Sequence, residues 1–199
     1  KLTNPSKEEL ELTYEMTLTV LFRLLFVAYA EDRDLFPYKT NEAYRKRSLK
    51  SKAIELAEAT STNKQISNGD HHWVETFLLW QSISKGNKDW GLPAYDGTVF
   101  SSDTSISKSG AELATISLPN IFFEKALRSL LLTDSTECQE TPVDFRSLSV
   151  REFGTIYEGL LESELSLATQ NLSTDNKGIY IPAKDGDKVE INKGEIYLH

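Results

Sequence analysis

The chain has one cysteine, Cys138, in 199 residues. A single thiol cannot close an internal disulfide, and it excludes every multi-cysteine zinc or iron–sulfur site. Cys138 sits in a polar, acidic stretch with no His or Lys beside it, so no lowered thiol pKa is expected. This cysteine usage fits a reducing compartment, and the expected location is cytoplasmic. Long apolar runs are scarce too. The richest, Leu18 to Ala30, is interrupted by Thr19 and Arg23 and reads as too short to cross a bilayer. The charged N-terminus leads into more charge and no cleavage site, so no signal peptide is read there, and no membrane partner is expected. Positive charge is deficient: 22 Lys and Arg stand against 30 Asp and Glu, for a net charge of −8. That balance argues against a freestanding, sequence-independent DNA binder. What remains is ordinary: 39% hydrophobic and 26% charged residues exclude a disordered or collagen-like chain. The length allows one domain with a core that needs no staples. The chain opens at Lys1 rather than Met, so a processed product or a piece of something longer is expected.

Helical periodicity dominates the first four-fifths. Ser6 with Glu9 reads as a capping box opening a helix that runs to about Ala30, apolar nearly all round in its second half. Asn41 caps a second predicted helix through about Ala59, with Tyr44, Leu49, Ile54 and Leu56 inward. Ser61 to Gly69 reads as a loop. Asp70 caps a third helix, His71 to Ser84, with Gly86 as its stop. Asn87 to Ser109 is irregular, but Trp90, Tyr95 and Phe100 predict a loop that packs. A short helix is expected over Ala111 to Ser117, and another from Asn120 to Leu132 with Pro119 at its start. Thr133 to Thr141 reads as a loop. A second capping box, Ser149 with Glu152, opens a helix whose predicted buried face is Val150, Phe153, Ile156, Tyr157, Leu160 and Leu161. The period then shortens to β-prone runs at Ile179–Ile181, Val189–Ile191 and Glu195–Leu198, separated by Asp185-Gly186-Asp187 and Lys193-Gly194. The fold class is therefore mainly α: a multi-helix domain over 1–161 with a small C-terminal antiparallel β element over 162–199.

Catalytic motifs are absent by type. The sequence has no Gly-rich phosphate loop, no G-x-S-x-G and no H-E-x-x-H. It also lacks the Asn/Asp-Pro-Pro-aromatic run of adenine methylases and a glycine-rich strand–turn for S-adenosylmethionine. Asp144 and Glu190 could supply nuclease carboxylates, but no Glu-x-Lys occurs. His71 and His72 are adjacent, so a helix should point them in different directions at a solvated N-terminus. Trp73, Phe77 and Trp80 at helical spacing read as core. Glu31-Asp32-Arg33-Asp34 reads as a solvated helix end. No catalytic, cofactor-binding or metal residue is assigned.

One feature rises above this background. Between Lys39 and Lys52 six cations face Glu42 alone. Read as a helix face, Arg45, Lys46, Arg47, Lys50 and Lys52 form a strip for DNA phosphates, with Lys46 and Lys50 one turn apart. The plainer reading is a solvated helix face.

Three segments then carry a resemblance. Leu21 to Arg33, followed by Leu35-Phe36-Pro37, resembles the R-hhF-hhYAEDR-x-LhP segment (h, apolar) of large single-chain type II restriction–modification enzymes. Leu92 to Phe100 resembles their aromatic–Asn/Asp–Gly–x–Leu-Phe loop. Val143-Asp144-Phe145-Arg146 with Leu148, then Val150 to Glu162, resembles their hDhR-x-L-x-hR-x-hG-x-hYEGLLE segment, the most specific of the three. They occur in the family's order and span most of residues 18 to 165. The resemblance implies a non-catalytic helical spacer between a nuclease, where one is fused, and an adenine-N6 DNA methyltransferase, as also found in phage-defence relatives. It implies S-adenosylmethionine and, with a nuclease, magnesium as cofactors of the parent enzyme rather than of this chain. DNA and the adjacent catalytic domains are the implied partners, with the methyltransferase expected soon after His199. None of the family's catalytic motifs has a matching position here. The alternatives are a stand-alone all-α protein-interaction module and a small hydrolase built around His71 or His72 with a serine.

Overall fold

Ser6 and Glu9 cap the first helix reciprocally, as the spacing predicts: the Ser6 N–H donates to Glu9 Oε2 at 2.7 Å and the Glu9 N–H to Ser6 Oγ at 3.2 Å. From there α1 runs over Lys7–Asp32. The computed structural model describes residues 5–61, 68–95, 97–133 and 140–199. Asp96 of the resembled 92–100 loop, Cys138 and most of the 61–69 and 133–141 loops lie outside the described residues. Within them the chain is mainly α, with short antiparallel strands added, as the periodicity predicts. The helices after α1 are α2 (Glu42–Arg45), α3 (Leu49–Ser61), α4 (His71–Lys85), α5 (Lys108–Leu113), α6 (Asn120–Leu131) and α7 (Val150–Leu161).

The chain divides into two compact units, residues 19–149 and residues 1–18 with 150–199. This division falls elsewhere than the expected boundary at 161. The reason is local: α7 belongs with the start of α1, where the Tyr14 hydroxyl donates to the Leu160 carbonyl.

The larger unit is helical. Its core gathers Leu24, Val27 and Ala30 of α1, Tyr44, Leu56 of α3, Trp73, Leu79, Trp80 and Ile83 of α4, and Phe123 and Leu127 of α6. Trp73 meets Trp80 and Phe123 edge-on at 5.8 and 5.1 Å, so the predicted aromatic stripe is core packing. Of the three aromatics expected to pack the 87–109 segment, Tyr95 and Phe100 do: they surround Phe26 and Phe36, with Phe26–Phe100 and Phe36–Tyr95 centroids each 5.4 Å apart, whereas Trp90 is only half-buried.

Several helix boundaries differ from expectation. Asp70 does not cap α4. Its carboxylate instead accepts the Ser117 hydroxyl. The Asn120 side chain, from α6, takes the His72 N–H at 3.1 Å. α5 begins earlier than the sequence predicts, at Lys108, because the Ser107 hydroxyl accepts the Gly110 N–H at 3.0 Å and so caps it. α6 starts after Pro119 as predicted. It leads into β1 (Leu132–Thr133), paired with β2 (Thr141–Pro142).

α1 also corrects the reading of apolar length. Because it starts at Lys7, it holds an 18-residue window of mean hydropathy 1.3, long and apolar enough by length and composition to cross a membrane. Its Arg23, Glu31 and Asp32 are nevertheless buried and bonded to groups of the helical unit, which assigns that half to a protein core.

In the smaller unit, α7 buries its apolar face only in part. Phe153, Ile156 and Leu160 are only half-buried, Tyr157 is 47% exposed and Leu161 55%. The predicted buried face is therefore a partial one. Two antiparallel pairs follow: β3 (Leu165–Leu167) with β6 (Ile196–Leu198), and β4 (Leu172–Thr174) with β5 (Tyr180–Pro182). The sequence predicts Val189–Ile191 as a strand, but this run meets β4 only at Leu172, whose carbonyl accepts both the Glu190 and Ile191 N–H groups.

Candidate nucleic-acid interface

The basic strip does not lie on one helix. Asn41 caps α2, accepting the Tyr44 N–H at 3.0 Å, but α2 stops at Arg45 and α3 begins afresh at Leu49. Two groups force the break. Ser48 Oγ accepts the Ser51 N–H at 3.1 Å as a new N-cap. Glu31 reaches in from α1 and accepts the Leu49 and Lys50 N–H groups at 3.0 and 2.8 Å. These are free donors of a helix start, where a carboxylate also meets the positive end of the helix dipole. The Tyr44 hydroxyl donates to the same carboxylate at 2.7 Å.

This corrects the reading of Glu31-Asp32 as a solvated end: both are buried. Burial pushes the Glu31 carboxyl up to about 7, outweighing the three hydrogen bonds that pull it down. Burial and the neighbouring Glu31 push the Tyr44 phenol well above its ordinary value, so it remains a donor. Asp32 accepts the Phe145 N–H at 2.8 Å and holds the Lys50 ammonium at 2.7 Å. A cavity of about 30 Å³ beside these groups has room only for water.

The five predicted phosphate contacts therefore separate. Lys50 is spent on Asp32 and lies over the Tyr38 ring. Lys52, its side chain 12% exposed, is held by Glu75 and, at 3.4 Å, by Glu55. Arg45, Lys46 and Arg47 stay exposed on the end of α2 and the turn after it. Lys46 pairs with Glu42 at 2.7 Å, both more than two-thirds exposed, and Arg47 approaches Glu75 at 3.9 Å. Partial burial would raise the Glu75 carboxyl, but Lys52, His71 and Arg47 hold it below the usual range.

Sequence reasoning missed the neighbour of this trio. Asn87 and Leu92 close a turn through reciprocal N–H to carbonyl bonds at 2.9 Å, with Gly91 at φ 69°. The Asn41 amide donates to Asp89 O at 3.0 Å and ties this turn to α2. Trp90 rides on the turn and, with Glu42, Ala43, Lys46 and Arg47, lines an open groove of about 530 Å³. The signal available was the Asn-x-x-Trp-Gly turn pattern itself, which marks a tight turn but says nothing of what it faces.

Other candidates fall elsewhere. His72 is buried, with Nε2 3.4 Å from Glu124, and burial lowers its pKa. The His71 and His72 rings lie 4.0 Å apart rather than diverging, and His71 Nδ1 meets the Asn120 amide at 2.6 Å. Asp144 caps a short 3₁₀ turn through the Arg146 N–H, and Glu190 pairs with Lys188 at 2.9 Å. Arg23 is buried over the Trp80 ring and donates to Val99 O at 2.7 Å and Ser101 O at 2.9 Å. Burial lowers its pKa to about 10. Among the described residues no three metal-ligating side chains converge.

No family model matches the chain, and no curated protein or solved structure shows significant similarity to it.

Proposed function

We propose that this chain is a non-catalytic helical spacer of a DNA restriction–modification enzyme carrying an adenine-N6 methyltransferase, and that it touches the DNA backbone through Arg45, Lys46 and Arg47. The observation that carries the reading is the sorting of the basic strip. Lys50 and Lys52 are neutralised by internal carboxylates, while three consecutive cations remain exposed on one short segment. Phosphate contacts of this kind add affinity and fix position without reading sequence. The resembled segments support the spacer role in a second way. Their polar residues Arg23, Glu31 and Asp32 tie helices and turns together inside the core, as a rigid connector requires. S-adenosylmethionine and magnesium would be bound by other parts of the parent; among the described residues no three metal-ligating side chains converge.

The test belongs in the full-length protein. Changing Arg45, Lys46 and Arg47 to Glu should weaken duplex binding equally for all sequences. The slope of log affinity against log salt should flatten by about 0.9 for each phosphate no longer neutralised. An unchanged slope refutes the phosphate role. The isolated chain should transfer no methyl group from labelled S-adenosylmethionine and should not nick DNA in magnesium; either activity refutes the spacer reading. The alternative, an all-α interaction module, draws on Ile121 and Phe122, which α6 leaves exposed.

A further inference from the structure

We infer that the groove between α2 and the 87–92 turn is a binding site for an unpaired nucleotide of DNA, whose base stacks on Trp90 while Lys46 and Arg47 take the flanking phosphates. The inference rests on the phosphate-contact reading of the same cations and adds to it a ligand class, single-stranded rather than duplex DNA. Three observations carry it. First, Trp90 is the exception among the three tryptophans. Trp73 and Trp80 are buried and pack on other rings, whereas Trp90 lines an open groove, and among the described residues neither an aromatic ring nor a cation covers its indole face. Second, the turn that carries the indole is held in place. The Asn87–Leu92 bridge closes the turn, Asn87 Oδ1 accepts the Trp90 backbone N–H at 3.1 Å, buried Leu92 anchors the turn, and Asn41 fastens it to α2. A stacking platform fixed in advance loses little entropy when a base arrives. Third, Lys46 and Arg47 line the same groove as the indole, from the end of α2 and the turn after it. An aromatic face beside cations that follow the backbone is the arrangement that binds single strands without regard to sequence, because every base has a π-face.

Glu42 shares the groove and works against an anion. Its pair with Lys46 is solvated on both sides, so exchanging Glu42 for phosphate gives up a screened, weak interaction. A duplex offers the groove phosphates but no free base face, which makes Trp90 the residue that separates single strands from duplexes.

The burial pattern supplies the assay. Trp90 is the indole on the open groove, so quenching of tryptophan fluorescence reports on it. An oligodeoxythymidine of about eight residues, added to the full chain at low ionic strength, should quench the fluorescence saturably. Trp90→Ala should weaken binding of the same oligomer, followed by anisotropy of a labelled strand, by about 5- to 150-fold. Trp90→Phe, which keeps a stacking face and the turn, should retain most of the affinity. Lys46→Glu with Arg47→Glu should weaken binding and flatten its salt dependence. Single-strand affinity unchanged by Trp90→Ala overturns the inference, as does quenching by an oligouridine but not by the oligodeoxythymidine. The two readings fail separately. If the Arg45, Lys46 and Arg47 changes alter duplex binding while Trp90→Ala leaves single-strand binding intact, the backbone contact stands and the stacking site falls. If single-strand quenching depends on Trp90, Lys46 and Arg47 while duplex affinity ignores them, the stacking site stands and the duplex contact falls.

Discussion

Removing the proton from Glu31 should loosen the helical unit, and the size of the effect follows from its surroundings. Burial outweighs the three hydrogen bonds from Tyr44, Lys50 and Leu49 and places the folded-state value at about 7, against 4.5 ordinarily. Between those pH values the folded chain keeps a proton that the unfolded chain has already released. Stability therefore falls as pH rises from about 4.5 to about 7 and levels off above. At about 1.4 kcal/mol per pH unit, the gap amounts to about 3 kcal/mol. Glu31→Gln removes this titration and nearly preserves the shape. Its amide keeps an oxygen for Tyr44 and Leu49 but turns an N–H₂ toward the Lys50 N–H, so the variant starts out weaker. Urea unfolding of both proteins from about pH 5 to about pH 8 gives the comparison. The deficit of Glu31→Gln should shrink by about 3 kcal/mol across that range, because only the wild type acquires a buried charge. His72, held low by burial, makes stability fall on the acid side of about pH 6.5, but it is common to both proteins and cancels in the difference. A deficit that stays constant or grows with pH would show that the three donors and the α3 N-terminus stabilise the carboxylate fully, and the reasoning from burial would be refuted.

Gly110→Ala tests the Arg23 anchorage. A Cβ there would stand 2.2 Å from Ser101 O and 2.9 Å from Arg23 Nη2, so the substitution should destabilise the chain instead of yielding the gain of about 1 kcal/mol usual in helices. A raised melting temperature would refute the close approach. Leu160→Ala should lower stability by about 1–2 kcal/mol, below the range of a fully buried leucine, since α7 leaves that side chain half-exposed. A destabilisation above about 4 kcal/mol would mean that this face is covered.

Local chemistry settled much of the chain without the fold. The Ser6–Glu9 box starts α1, Gly86 at φ 78° ends α4, and Pro119 precedes α6, because each acts on backbone groups within one helical turn. Apolar spacing likewise put Trp73 and Trp80 in the core and pointed to the mainly α class with its late strands. The sequence alone could not split the basic helix, because the group that breaks it, Glu31, lies 18 residues before Leu49 in the chain. Nor could it tell which cations are free: Lys50 and Lys52 are neutralised by Asp32 and Glu75, both distant in sequence, while Lys46 keeps only a solvated neighbour. The Trp90 groove has the same character. A turn residue and a helix end meet there through one Asn41 amide across 48 positions. Periodicity and caps describe neighbours along the chain; charge pairing, burial of carboxylates and the lining of a groove belong to neighbours in space, and only the packed structure decides them.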